Sequence, residues 1–168
     1  MIMTGIGRRL LLASIFALCL TAATAADLAG SPAPDFVLKS ASGRNYRLSE
    51  YRGQVVLVSF WAPWCGECRS QLRELGEAYE RYAGAGLEMF AVGLDREIGP
   101  IRDAAQSLGV TFPALLDVGG VVGELYGVDK MPYVILVDQD GVVRNEFSGF
   151  NRGDSQGYID AARTLLEQ

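Results

Sequence analysis

Cys65 and Cys68 lie three positions apart, in the run Trp61-Ala62-Pro63-Trp64-Cys65-Gly66-Glu67-Cys68. One turn of helix separates such a pair, which leaves the sulfurs within disulfide reach. The six residues before the run, Val55 to Phe60, are apolar except for Ser59 and rich in β-branched side chains. A stretch this short and apolar reads as a strand buried on both faces. A pattern of helical period follows, so the pair sits where a strand hands over to a helix, with Cys65 at or just before the first turn. Unpaired N–H groups and the positive end of the helix dipole favour a thiolate there, and a thiol of reference pKa ~8.5 ionises more easily. Cys65 is placed to attack a disulfide and Cys68 to resolve the product.

Little other chemistry is available. The sequence has no histidine, which removes His general bases, Cys–His dyads and His-ligated metals together. The third cysteine, Cys19, lies in an N-terminal apolar run. Without that run the pair stands alone, too close in sequence to staple a fold and two ligands short of a structural zinc site. Redox use remains. Net charge is −5, or −7 if the first 25 residues leave with Arg8 and Arg9. An acidic chain with no Lys/Arg cluster is a poor partner for nucleic acid or anionic membrane surfaces. At 168 residues, 49% hydrophobic and 21% charged, it is long enough for one domain with a real core.

The positioning elements can be read in order. Arg8 and Arg9, the apolar Leu10 to Leu20 and the Ala23-Thr24-Ala25 site form a secretory signal over residues 1–25, with an uncleaved anchor as the alternative. Either way residues 26–168 end outside the cytoplasm, periplasmic or secreted, touching a membrane only if the segment stays. Phe36 to Lys39 and Asn45 to Leu48 predict two short strands around a Ser42-Gly43 turn, and Ser49 is a possible cap for one helical turn. After the cysteines, Cys68, Leu72, Leu75, Tyr79 and Tyr82 make one apolar helix face, stopped by Gly84 and Gly86. Leu87 to Leu94 is a second buried strand. Pro100 fits a first helical position, ahead of Ile101, Ala104, Ala105 and Leu108. An extended piece (Val110 to Leu116), a short helix (Val121 to Tyr126), a third apolar strand (Tyr133 to Val137) and an antiparallel return (Val142 to Phe147) follow. Asp154 or Ser155 caps a last helix. The alternation predicts an α/β fold, a mixed sheet with helices on both faces.

Phe60 to Cys68 resembles the thioredoxin active-site signature. The wider pattern is similar to the extracytoplasmic TlpA/ResA-type branch of that superfamily. The similarity includes Ala33-Pro34-Asp35-Phe36 with its hairpin, Val110-Thr111-Phe112-Pro113, Tyr126-Gly127-Val128, Met131-Pro132, Val137-Asp138-Gln139-Asp140-Gly141 and Gly149. The resemblance implies a thioredoxin fold with an N-terminal β-hairpin extension, and thiol–disulfide exchange without organic cofactor or metal. The partners it implies are client proteins with cysteines or disulfides, and a membrane thiol-transfer electron donor of the DsbD or CcdA kind. It implies reduction of client disulfides, often in cytochrome c maturation. It places a cis-proline on Pro132 and pairing with the client backbone on Met131, while Trp64, Gly66 and Glu67 surround the nucleophile.

Four departures stand out. Gly66-Glu67 replaces the usual Gly-Pro or x-Pro, and Tyr133 follows the proline where Thr is common. Ser59 stands where ordinary thioredoxins bury an aspartate, and Gln71 where this branch usually carries a glutamate. Without those carboxylates, proton transfer at Cys68 falls to Glu67, water or the substrate thiol. Gln71 itself reads as an ordinary helix residue. Two rival functions are a peroxidase of the same fold and a binding or chaperone module with weak redox activity. Against the first, Ala62 occupies the place where a peroxidatic site carries Thr.

Overall fold

The computed structural model describes residues 28–168; the expected signal segment, with Cys19, lies outside the described residues. Strand β1 (Val37–Ser40) and strand β2 (Asn45–Arg47) form the expected hairpin. Leu48 leaves it earlier than the pattern suggested, opening a 3-10 turn over Leu48–Tyr51. Ser49 does not cap that turn. Its N–H and hydroxyl instead donate to the Asp35 carboxylate at 2.9 and 3.0 Å, beside Arg47 at 3.1 Å. Burial alone would raise the Asp35 pKa, but these partners outweigh it and hold the carboxyl below its usual value.

Strand β3 (Val55–Trp61) is buried along its whole length, as its composition requires. It leads into helix α1 (Gly66–Tyr82), and strand β4 (Leu87–Leu94) returns parallel to β3. Helix α2 (Ile98–Leu108) starts two residues before Pro100, which the first turn tolerates because its N–H groups have no helical partner. The extended piece narrows to strand β5 (Ala114–Asp117), parallel to β4, and helix α3 (Val121–Leu125) follows. Strand β6 (Tyr133–Val137) runs antiparallel to β3, and strand β7 (Val143–Ser148) antiparallel to β6. Helix α4 (Asp154–Leu166) is entered through Gly153 at φ +94°, not capped by Asp154 or Ser155. The Asp154 carboxylate accepts the Asn151 N–H at 2.6 Å instead.

The seven strands form one mixed sheet in the order β2-β1-β5-β4-β3-β6-β7. Val55, Leu57 and Trp61 point to a core shared with α1, α2 and α4. Val56, Val58 and Phe60 point to a second core under the N-terminal segment, α3 and Tyr126. The period of two on β3 thus divides the interior into two layers. The Tyr126 hydroxyl donates to the Pro34 carbonyl at 2.5 Å and ties that segment down. Among the described residues, no helix is long and apolar enough to cross a membrane.

Candidate active site

β3 delivers the chain to the C-terminal edge of the parallel strands. A turn follows there, in which the Cys65 N–H donates to the Ala62 carbonyl at 3.0 Å. Cys65 keeps an extended backbone, φ −81° and ψ 109°, and is the N-cap of α1. Its sulfur accepts the Cys68 N–H at 3.1 Å. One of the unpaired donors at the helix start is thereby aimed at Cys65 Sγ, where negative charge would develop on reduction. The two sulfurs are bonded, with Cα atoms 5.3 Å apart. Cys65 is half-buried and Cys68 fully buried, so a second molecule can reach only the first.

Trp64 lies 74% exposed next to the disulfide, whereas Trp61 is wholly within the core. Gly66 and Glu67 are exposed, the Glu67 carboxylate in the first turn of α1 where the dipole favours an acid. The Met131–Pro132 peptide bond is cis. Tyr133 pairs with Phe60 across β3 and β6, so Pro132 stands level with Trp61, beside the turn that carries Cys65. Pro132 is buried and its carbonyl accepts the Gly149 N–H at 2.9 Å. Met131 is half-buried, and its N–H and C=O have no main-chain partner among the described residues.

Gln71 is a helix residue that faces the core rather than solvent. It is fully buried one turn beyond Cys68, and the fully buried Ser59 hydroxyl donates to its Oε1 at 2.7 Å. Its Nε2 finds no partner of hydrogen-bonding geometry. That amide lies close enough to the Tyr158 hydroxyl to oppose the rise in its pKa that burial causes. Tyr158 in turn donates to the Gly149 carbonyl at 3.4 Å. Ser59, Gln71 and Tyr158 are thus polar and uncharged, with the Asp154 and Glu74 carboxylates near enough to Tyr158 to add to the rise in its pKa. Reading the sequence one residue at a time misses this pair, although a glutamine on the apolar face of α1 and a serine inside an apolar strand were both visible.

No group of three or more Cys, His, Asp or Glu among the described residues could hold a metal ion. A cavity of about 710 Å³, lined by Arg44, Tyr46, Tyr79, Glu88 and Arg102 among others, lies at the opposite edge of the sheet from the cysteines.

Residues 29–146 match the model of the AhpC/TSA family. The thiol–disulfide oxidoreductase ResA of Geobacillus thermodenitrificans is 37% identical over 120 residues, 71% of this chain and 69% of that protein. A solved structure from Chlorobium tepidum, described as a candidate thiol:disulfide interchange protein DsbE, is 32% identical. It covers 82% of this chain and 97% of its own, with a TM-score of 0.78. The thioredoxin domain of a thiol–disulfide oxidoreductase from Bacteroides vulgatus is 26% identical. It covers 82% of this chain and 97% of its own, with a TM-score of 0.70.

Proposed function

We propose that this chain, which belongs to the AhpC/TSA family and is a thiol–disulfide oxidoreductase of the ResA/DsbE type, works outside the cytoplasm as a reductase of client disulfides. The observation that carries the reading is the Cys65–Cys68 disulfide at the start of α1, one sulfur reachable and the other sealed beneath it. In the reduced protein the Cys65 thiolate attacks a client disulfide and expels one client thiolate. Cys68 then attacks the Cys65 sulfur, expels the second, and closes the intramolecular disulfide. Two electrons pass from the dithiol to the client. The two thiol protons leave with them, that of Cys68 by way of Glu67, water or the departing client thiolate, since the buried Ser59–Gln71 pair behind Cys68 carries no carboxylate.

The client main chain would lie along Met131 as a short added strand, using the N–H and C=O that the fold leaves unpaired. Pro132 shapes that edge, and Trp64, Gly66 and Glu67 form the surface around the attacked bond. Residues 1–25 act as the export signal, cleaved or kept as an anchor, and residues 26–168 work beyond the membrane. A membrane thiol-transfer protein of the DsbD or CcdA kind would restore the dithiol, and cytochrome c maturation is the pathway such a reductase would serve. The scheme needs no bound cofactor or metal.

Insulin reduction tests the reading. Wild-type protein should turn over with dithiothreitol as donor, Cys65→Ser should be inactive, and Cys68→Ser should stall as a covalent mixed disulfide visible on a non-reducing gel. No turnover by the wild type refutes the enzyme. A reduction potential near about −120 mV rather than about −270 mV would reverse the direction of flow.

A further inference from the structure

Four of the five large, exposed apolar side chains among the described residues are Trp64, Val118, Val121 and Leu125. They gather at the C-terminal edge of the parallel strands. Trp64 follows β3, and Val118 to Leu125 follow β5. Trp64 and the Gly119-Gly120 turn face each other across a shallow depression of about 510 Å³, floored by Leu94, Asp95 and Arg96. That depression, with Asp95 and Arg96 in its floor, separates Trp64 at the disulfide from the turn that begins an apolar ridge of Val118, Val121 and Leu125.

The ridge is built, not loose. Gly119 and Gly120 sit at φ +80° and +74°, a backbone that side chains resist, and they turn the chain sharply out of β5. The buried Asp117 carboxylate accepts the Gly123 N–H at 2.8 Å and holds the start of α3 to the end of β5. A Cβ at Gly123 would lie 3.0 Å from Leu94 Cδ2, so the missing side chain lets α3 press against β4. The same arrangement buries Val122 and leaves Val121 and Leu125, four apart on one helix face, in solvent. Apolar side chains gathered and fixed at a surface in this way mark a contact site.

We propose that this ridge receives apolar side chains of the client, on the side of the client cysteine away from Met131. The occupant is an extended stretch of a client protein, with Leu, Val or Phe within a few residues of its cysteine. The inference rests on the oxidoreductase reading above and adds what that reading lacks, a preference among clients. β6 lies on one side of β3, β4 and β5 on the other. A chain whose sulfur meets Cys65 and whose backbone runs along Met131 therefore crosses Trp64 toward Val118 and Val121.

The test uses the dithiothreitol-reduced protein and peptides of equal charge. Each peptide carries one cysteine in a mixed disulfide with glutathione, flanked by Leu-Val or by Ser-Thr, on either side in turn. Attack on the peptide sulfur releases glutathione, and Cys68 then frees the peptide thiol, which chromatography measures. Wild-type protein should process the better-placed Leu-Val peptide about tenfold faster than its Ser-Thr counterpart, as burial of two aliphatic side chains allows. Val121→Ser with Leu125→Ser should abolish that ratio. Its rate with oxidised glutathione, too small to reach the ridge, should stay at the wild-type value. A wild-type ratio near one, or a ratio the double variant keeps, overturns the proposal. Failure of the wild type to reduce oxidised glutathione overturns the oxidoreductase reading and the proposal with it.

Discussion

The Ser59–Gln71 hydrogen bond joins two side chains with no measurable exposure, so neither can find water if its partner goes. Ser59→Ala leaves the Gln71 carboxamide buried with both ends unsatisfied, because Nε2 already lacks a partner. An orphaned buried polar group costs about 1–3 kcal/mol. In a domain of this size each kcal/mol moves the melting temperature by about 3–5 °C, interpolating between small and larger domains. Gln71→Met strands the serine hydroxyl and should cost a similar amount. Changing both removes donor and acceptor together, and the double variant should be less damaged than the summed singles by at least about 1 kcal/mol. Urea unfolding of all four proteins with the disulfide intact measures this coupling. Effects that add to within about 0.5 kcal/mol would show that the pair makes no specific contribution, and the reasoning from burial would be wrong.

Two other perturbations follow from the packing and the charges. A Cβ at Gly93 would fall 2.1 Å from Cδ1 and 3.0 Å from Cγ1 of the fully buried Ile101, so Gly93→Ala should cost about 1–3 kcal/mol in the same unfolding assay. A loss below about 0.5 kcal/mol would mean that α2 lifts off β4 freely. Burial alone would raise the Asp138 pKa. The Val142 N–H at 2.8 Å and the Arg144 guanidinium at 2.5 Å outweigh it and hold it below the usual value. A depressed folded pKa contributes stability above the unfolded value and loses it as pH falls through the folded one. Asp138→Asn should therefore be less stable than wild type near pH 7, and the gap should close as pH falls from about 5 to about 2.5. A gap that stays constant across that range refutes the assignment.

The local grammar around the cysteines is legible in the chain itself. A β-branched apolar run, a Cys-x-x-C pair and a 3.6-residue repeat are each short-range patterns, and they fix β3, the turn and α1 because backbone sterics and amphipathicity act over neighbouring residues. The alternation of strands and helices followed by a hairpin determines the class of fold for the same reason. Helix starts are less well determined, since side chains at a turn have several partners to choose from. Ser49 and Asp154 both bond elsewhere, and α4 begins behind a glycine.

What only the tertiary structure decides is which distant residues meet. Ser59 and Gln71 stand out in sequence only singly, each as a departure from the family pattern. They become a buried pair because α1 crosses the same face of β3 on which Ser59 points. Trp64 and Val121 are 57 positions apart and share an edge only because β3, β4 and β5 run parallel and end together. Sequence spacing records how far one residue is from the next along the chain, whereas contact depends on how elements lie across one another, set by the packing of the two cores.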